Sequence, residues 1–151
     1  MRKVISAKLH GITATGAVLN YHGSITLDPD HCDEACILPL EFVEIWNKAS
    51  GARINTYVIY GERGSRCCVL NGAAARTCQV GDELIICSSV YVEKHQIADI
   101  KPRVLTFNPD NSIRERMFYD AEYREDGTMT FAVREGPSSG NPWKATSRAD
   151  R

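Results

Sequence analysis

The sequence predicts a small, mainly β protein whose strands close into a barrel. Short apolar or alternating segments follow one another closely along the 151 residues, and β-branched residues are frequent in them. Turn-forming residues separate these segments, and helical periodicity is nearly absent. Many short strands at close spacing, with little helix, are typical of a small closed barrel.

The first strands are expected in the N-terminal part of the chain. Val4–Leu19 is rich in β-branched and small residues and lacks helical periodicity, so it predicts one or two strands, broken near Gly11 and Gly16. Ile25–Leu27 predicts a short strand, which ends at the turn residues Asp28–Asp30.

A single helical segment follows. His31–Leu38 is expected to be helical because Pro29 and Asp30 suit a helix start and Pro39 ends it. The apolar residues of Phe42–Trp46 then predict the next strand, which is followed by turn residues.

The central segment has the clearest alternation. Arg53–Tyr60 alternates in a way that predicts a strand with one face toward a core and the other toward a polar site. Asn71–Ala75 predicts a tight turn of small residues. Further strands are expected at Cys67–Leu70, within Val80–Val92 and at Val104–Phe107.

The character of the chain changes after Asn111. Met117–Tyr123 and Thr128–Val133 flank Asp126 and Gly127, which is a hairpin signal. The C-terminal segment has Gly, Pro, Ser and charge but almost no apolar residues, and predicts disorder. The expected organisation is a barrel domain at 1–115, an added hairpin at 116–135 and a disordered tail at 136–151.

Charge and composition argue against several classes of partner. The chain has 18 Lys and Arg against 19 Asp and Glu, a formal charge of −1, so no electrostatic signal points to nucleic acid or an anionic membrane. No apolar run is long enough for a signal-peptide core or a membrane span. We therefore expect a cytoplasmic protein with a small-molecule substrate, six reduced cysteines and no metal site, since the cysteine spacing matches no zinc knuckle.

A set of short motifs narrows the function. A Gly-Ser pair is usually only a turn, but Tyr21–Ser24 has companions at defined spacing. The most specific are Arg-Ile-Asn-Thr-Tyr at Arg53–Tyr57, Glu-Arg-Gly-Ser-Arg at Glu62–Arg66 and Asn-Gly-Ala-Ala-Ala at Asn71–Ala75; Lys8–His10, Trp46–Asn47 and Val80–Asp82 accompany them. In this order and spacing the chain closely resembles the pyruvoyl-dependent aspartate 1-decarboxylase family, from Met1 to near Asn111.

The resemblance implies a six-stranded double-psi β-barrel and a homotetramer with active sites between neighbouring subunits. It implies autocatalytic cleavage after Gly23, which would leave a β chain of residues 1–23 and an α chain of residues 24–151. The α chain would begin with a pyruvoyl cofactor made from Ser24 and would convert L-aspartate to β-alanine and CO2, for pantothenate and coenzyme A synthesis. Some family members need an accessory maturation protein, and the sequence leaves this open here.

The proposed cleavage has a simple physical basis. The Ser24 hydroxyl can attack the preceding carbonyl if the backbone holds the two close, and Gly23 is expected to allow a strained conformation there. A family threonine that matches Thr56 stabilises the oxyanion. The resulting ester would eliminate to dehydroalanine, which hydrolyses to the pyruvoyl group.

The resemblance also assigns the other site residues. The family proton donor matches Tyr57, and the substrate-carboxylate position matches Arg53, whose guanidinium suits two-point binding. Thr56, counted with both the processing and the substrate-binding residues, points to the opposite face of a strand from Tyr57, so one site requires a bend or a subunit boundary. Trp46 is expected in the core. The remaining assignments are Lys8, Gly72, Ala73 and Ala74 for substrate binding, and His10, Tyr21 and Asn71 for support.

Two alternatives stay open from sequence. A barrel that does not mature could bind a small acid or regulate a partner, but the joint presence of Ser24, Thr56 and Tyr57 argues against a pure binder, which needs no nucleophile. A related decarboxylase could act on another amino acid, and Arg53 favours an acidic one.

Overall fold

The computed structural model describes residues 1–138 and 143 and is mainly β. Residues 1–138 contain ten strands and two short α-helices. The strands are β1 (Arg2–Thr13), β2 (Gly16–Val18), β3 (Ser24–Leu27), β4 (Phe42–Asn47), β5 (Arg53–Tyr60), β6 (Cys68–Asn71), β7 (Glu83–Val92), β8 (Arg103–Phe107), β9 (Ile113–Tyr123) and β10 (Met129–Glu135). The helices are α1 (Pro29–Ala35) and α2 (Ile97–Ile100), and the 3-10 turns are Gly72–Arg76 and Lys94–Gln96.

Hydrogen bonding connects all ten strands in the order β10-β9-β8-β1-β7-β4-β5-β3-β6-β2. Three of the pairs are parallel, namely β1 with β8, β2 with β6 and β3 with β5. The others are antiparallel, with β1 and β7 forming the longest ladder. This order puts β3 between β5 and β6, two strands that follow it in the chain.

One core fills the space between these strands. Leu9, Ile25, Ile45, Val58 and Ile86 have no exposed surface and belong to a single cluster. Each such side chain contributes roughly 1.5–3 kcal/mol through burial. The strands that carry the motif residues are therefore held on a rigid frame.

Helix α1 differs from its predicted range of 31–38 at both ends. It begins at Pro29 because the Asp28 carboxylate caps it, accepting the Asp30 backbone N–H at 2.9 Å. It ends at Ala35 because Cys36 adopts a left-handed conformation with φ 59°. Helix α2 and the 3-10 turn before it were not predicted, although a capping box between Glu93 and Gln96 marks their start.

The hairpin of β9 and β10 extends the sheet at one edge, with Gly127 in its turn at φ +83°. One face leaves Phe131 and Val133 exposed, and on the other face Asp120 forms ion pairs with Lys101 and Arg134.

Beyond the hairpin, the Trp143 indole donates to a Glu34 carboxylate oxygen at 2.8 Å and lies 4.6 Å from the Arg103 guanidinium.

The disorder predicted for 136–151 falls mostly outside the described residues and stays a prediction, as does the domain division. Within the described part of the chain, no helix is long and apolar enough to cross a membrane.

Candidate active site

Ser24 is a buried hydroxyl with a defined partner. It opens β3 and is 1% exposed. Its Oγ accepts a hydrogen bond from Asn71 Nδ2 at 2.9 Å and donates to the His22 carbonyl at 3.4 Å. The contact to Asn71 follows from register, because Ser24 pairs with Asn71 across β3 and β6. The structure therefore brings together two of the predicted site residues that are 47 positions apart.

The segment before Ser24 is tightly packed against the loop after β6. A Cβ added to Gly72 would lie 2.9 Å from Gly23 Cα and 2.9 Å from the Tyr21 carbonyl oxygen, and Gly72 has φ +67°. Gly72 is therefore required by the close approach of two backbones as well as by its own conformation.

The conformational strain expected at Gly23 is not found. Gly23 does not belong to the glycines with positive φ, and a Cβ added there would meet nothing within 4 Å. The left-handed conformation lies across the contact, at Gly72. The prediction was wrong in its location because a Gly-Ser pair in a sequence does not show which neighbouring backbone it contacts.

Tyr57 lies next to Ser24 in the sheet, and Thr56 faces the opposite way. β3 and β5 are parallel, and Ile25 on β3 pairs with Val58 on β5. Ser24 comes directly before Ile25 and Tyr57 directly before Val58, so the two lie side by side. Thr56 pairs with the buried Val43 across β4 and β5. It shares its side of β5 with Val58, which is also buried. Within one chain, Tyr57 is thus on the side of Ser24, whereas Thr56 is on the core side.

The predicted cationic residues occupy another part of the same sheet. His10, Ile85, Trp46 and Arg53 form one row across β1, β7, β4 and β5. Lys8 lies in the adjacent row, paired with Cys87. Residues two apart on a strand share a face, so Lys8, His10 and Arg53 face the same side.

Arg53 is held by an aromatic ring. Its guanidinium carbon lies 4.7 Å from the centre of the Trp46 ring, to which it is paired across β4 and β5. Trp46 is only partly buried, so its predicted place in the core was wrong. A stacked guanidinium keeps its planar edge free for a carboxylate. A cavity of about 470 Å³ lies here, lined by Glu44, Trp46, Arg53, Ile54 and Asn55.

Burial shifts the pKa of two groups near Lys8. Burial lowers the pKa of His10, and the positive charge of Lys8 lowers it further, so the imidazole is neutral near pH 7. Burial raises the pKa of the Cys87 thiol to about 11 despite the neighbouring Lys8. Neither group is a charged nucleophile at neutral pH.

The Glu-Arg-Gly-Ser-Arg motif is organised by Asp28. The carboxylate of Asp28 accepts the backbone N–H groups of Gly64 at 3.0 Å and Arg66 at 2.7 Å, in addition to that of Asp30. Burial opposes ionisation of this carboxyl, but the three donors together hold its pKa below the ordinary value. Asp28 was not predicted from sequence, where it read only as a turn residue.

The other predicted loop residues lie around Gly72 and Gly23. Ala73 is exposed, Ala74 is nearly buried, and the Tyr21 ring is 53% exposed. Tyr21 packs edge-on against His22, with ring centres 5.6 Å apart.

A larger cavity lies elsewhere. It has a volume of about 780 Å³ between α1, the Glu62–Arg66 loop and the β8–β9 strands. Its lining does not include Ser24 or Arg53.

Comparison with known proteins agrees with the motifs. The sequence model of the family described as Aspartate decarboxylase matches residues 1–114. A protein of Xanthobacter autotrophicus named Aspartate 1-decarboxylase is 67% identical over 135 residues, which cover 89% of this chain and 90% of that protein. Proteins of the same name from Beijerinckia indica and Agrobacterium fabrum are 65% and 57% identical, covering 92% and 93% of this chain and 93% and 91% of those proteins.

Ser24 is thus a buried, hydrogen-bonded serine directly after a glycine, on a small mainly β frame. This chain belongs to the aspartate decarboxylase family. The alignments with the Beijerinckia and Agrobacterium proteins cover 140 and 141 residues of this chain, so they must include the β9–β10 hairpin. The hairpin therefore lies within the region shared with these relatives, although the family model ends before it.

Proposed function

We propose that this protein is a carboxy-lyase that converts L-aspartate to β-alanine and CO2, the step that supplies β-alanine for pantothenate and coenzyme A synthesis. Family membership over most of the chain carries this conclusion. The relatives are named Aspartate 1-decarboxylase at 57–67% identity. At the site itself, the supporting observation is the buried Ser24 hydroxyl held by Asn71.

The cofactor is a pyruvoyl group formed from Ser24. Ser24 Oγ would bond to the Gly23 carbonyl carbon, the C–N bond would break, and the proton would pass to the Ser24 nitrogen. β-Elimination would then release the Gly23 carboxylate and leave dehydroalanine at position 24. Hydrolysis of the dehydroalanine, with loss of its nitrogen as ammonia, would give the pyruvoyl chain end, with residues 1–23 and 24–151 as separate chains. The burial of Ser24 and its hydrogen bond from Asn71 fit this group, because they hold the reacting atom in place and keep bulk water away.

The pyruvoyl group, once formed, supplies an electron sink for loss of the substrate carboxylate. The chain supplies binding and proton transfer. Tyr57, beside Ser24 in the sheet, donates its phenolic proton to the carbon that loses CO2. Arg53, fixed by Trp46, binds a substrate carboxylate through two parallel N–H groups. Gly72, Ala73 and Ala74 offer backbone amides, and Asn71 and Tyr21 orient the region around Ser24.

Distances along the sheet support an active site shared between subunits. Lys8 is four strand positions from Ser24 in the order β1-β7-β4-β5-β3, or about 19 Å along the sheet, farther than a lysine side chain extends. Arg53 and Tyr57 are four residues apart on β5, or roughly 13 Å. In a homotetramer, a neighbouring subunit would supply Lys8 and His10 to the Ser24 of this one.

The same proposal includes the finer fold and the location. Six of the ten strands would close as a double-psi β-barrel, and the parallel β1–β8, β2–β6 and β3–β5 pairs among antiparallel ones support such a crossed topology. The six cysteines are free thiols, which supports a reducing compartment such as the cytoplasm.

Denaturing mass spectrometry of the purified protein tests this function. We expect two fragments divided after Gly23, with the second lacking a free amine and reacting with hydrazine. Aspartate should give β-alanine and CO2, and glutamate should give neither 4-aminobutyrate nor CO2. The Ser24→Ala variant is the control and should remain one chain without activity. Incubation of the isolated chain also tests whether an accessory maturation protein is required. An intact, inactive wild-type chain that binds aspartate in calorimetry would instead identify a binding protein.

A further inference from the structure

Thr26 presents a second hydroxyl to the amide that holds Ser24. Asn71 Nδ2 donates to Ser24 Oγ at 2.9 Å and to Thr26 Oγ1 at 2.8 Å. Asn71 is 3% exposed, so water does not readily replace either partner. A carboxamide nitrogen has two N–H bonds, and both are used here.

The strand register explains how one amide meets both hydroxyls. Ser24 and Thr26 are two apart on β3 and share one face. Asn71 pairs directly with Ser24 on the neighbouring β6, and Thr26 pairs with Val69. Asn71 therefore contacts Ser24 directly across the strands and Thr26 on the diagonal, a distance that long side chains cover.

The second hydrogen bond restricts the first. Rotation of a buried carboxamide away from Ser24 would leave the N–H bonded to Thr26 without an acceptor, which is costly in a buried site. Without the Thr26 hydroxyl, the amide can turn its oxygen toward β3 or move away at little cost. Ser24 Oγ would then lose its fixed donor and its defined position relative to the Gly23 carbonyl.

We propose that Thr26 is a positioning residue for self-cleavage, acting through Asn71 to hold Ser24 Oγ for attack on the Gly23 carbonyl. This inference rests on the proposed function. Thr26 gains and loses no proton. It acts before the Ser24 hydroxyl is consumed, so its loss slows cleavage more than it lowers the activity of chains already cleaved.

The test compares cleavage rates of full-length chains made by cell-free synthesis and then warmed, followed by denaturing mass spectrometry. Thr26→Val keeps the shape and removes the hydroxyl, and Thr26→Ser restores it. We expect Thr26→Val to cleave about tenfold more slowly, the size of one net hydrogen bond, and Thr26→Ser to cleave at nearly the wild-type rate. Thr106→Val is the matched control, because Thr106 also lies on a strand and bonds Glu115 at 3.1 Å, but on β8.

A double variant identifies the route. If Thr26 acts through Asn71, the chain with both Asn71→Ala and Thr26→Val cleaves as slowly as Asn71→Ala alone; independent effects would multiply. If the wild-type chain cleaves and the Thr26→Val chain cleaves at the same rate, the inference is overturned and the proposed function stays in place. A wild-type chain that never cleaves, either alone or with an added extract that contains a maturation protein of the family, overturns both. If Thr26→Val does not fold by circular dichroism, Thr26→Ala replaces it, with the same two readings.

Discussion

Replacing Gly72 with alanine should slow cleavage at Ser24, because the new Cβ would enter the backbone segment that carries the scissile bond. That Cβ would lie 2.9 Å from Gly23 Cα and 3.0 Å from the Gly23 nitrogen. Both contacts are to backbone, so no flexible side chain can move aside.

The magnitude has two parts. Alanine at φ +67° costs about 1–2 kcal/mol in any left-handed position. The clash adds roughly 1–3 kcal/mol, because ordinary contact begins at 3.4 Å and the segment around Gly23 must yield by about 0.5 Å. Since a 1 Å misplacement costs on the order of a hundredfold in rate, we expect cleavage to slow by about tenfold.

Gly127→Ala is the matched control for conformation alone. Gly127 has φ +83° with nothing within 4 Å of an added Cβ, and it lies in the hairpin turn far from Ser24. Both variants should lose the first 1–2 kcal/mol in urea denaturation, and only Gly72→Ala should lose more and cleave slowly by mass spectrometry. Equal stabilities and equal cleavage rates in the two variants would refute the argument that Gly72 is required by its contact with Gly23.

Three further predictions concern turnover, substrate binding and acid stability. Tyr57→Phe should leave cleavage intact and slow CO2 release per cleaved chain by roughly 10²–10⁴-fold; normal turnover would remove Tyr57 as proton donor. Arg53→Lys keeps the charge but loses the planar fork stacked on Trp46, so steady-state kinetics should show a raised KM for aspartate with unchanged cleavage, and an unchanged KM would contradict the assignment. Because the folded pKa of Asp28 is lowered, its stabilising contribution is full above the ordinary carboxyl pKa of about 3.9 and is lost as pH falls through the lower folded value. Asp28→Asn should therefore flatten the fall in urea midpoint between about pH 5 and pH 2, and parallel curves for the two proteins would count against this role.

The strands were predictable where the pattern is local. Arg53–Tyr60 and the Phe42–Asn47 strand follow from alternation and apolar content, and the hairpin follows from Asp126 and Gly127. These signals depend only on neighbouring residues. The boundaries of α1 and the existence of α2 were harder, because caps such as Asp28 and Cys36 act through single side chains or single φ angles that periodicity does not contain.

The sequence predicted which residues belong to the candidate site, but it did not predict how they are arranged in space. The motif blocks identified the family, and the comparisons confirm it. The expected strain at Gly23 and the expected core position of Trp46 were wrong, and Thr26 and Asp28 were missed. Each of these errors involves a contact with a residue distant in the chain.

By itself, the sequence determined that the chain forms short strands, that it carries the aspartate decarboxylase motifs, and which residue types are available for chemistry. Only the tertiary structure decided that β3 lies between β5 and β6, and therefore that Ser24 meets Asn71, that Tyr57 rather than Thr56 shares its side, and that Gly72 presses on Gly23. The physical reason is that propensity and periodicity are local properties of the chain. The neighbours of a strand, its register and the close approach of two backbones depend on how the whole core packs.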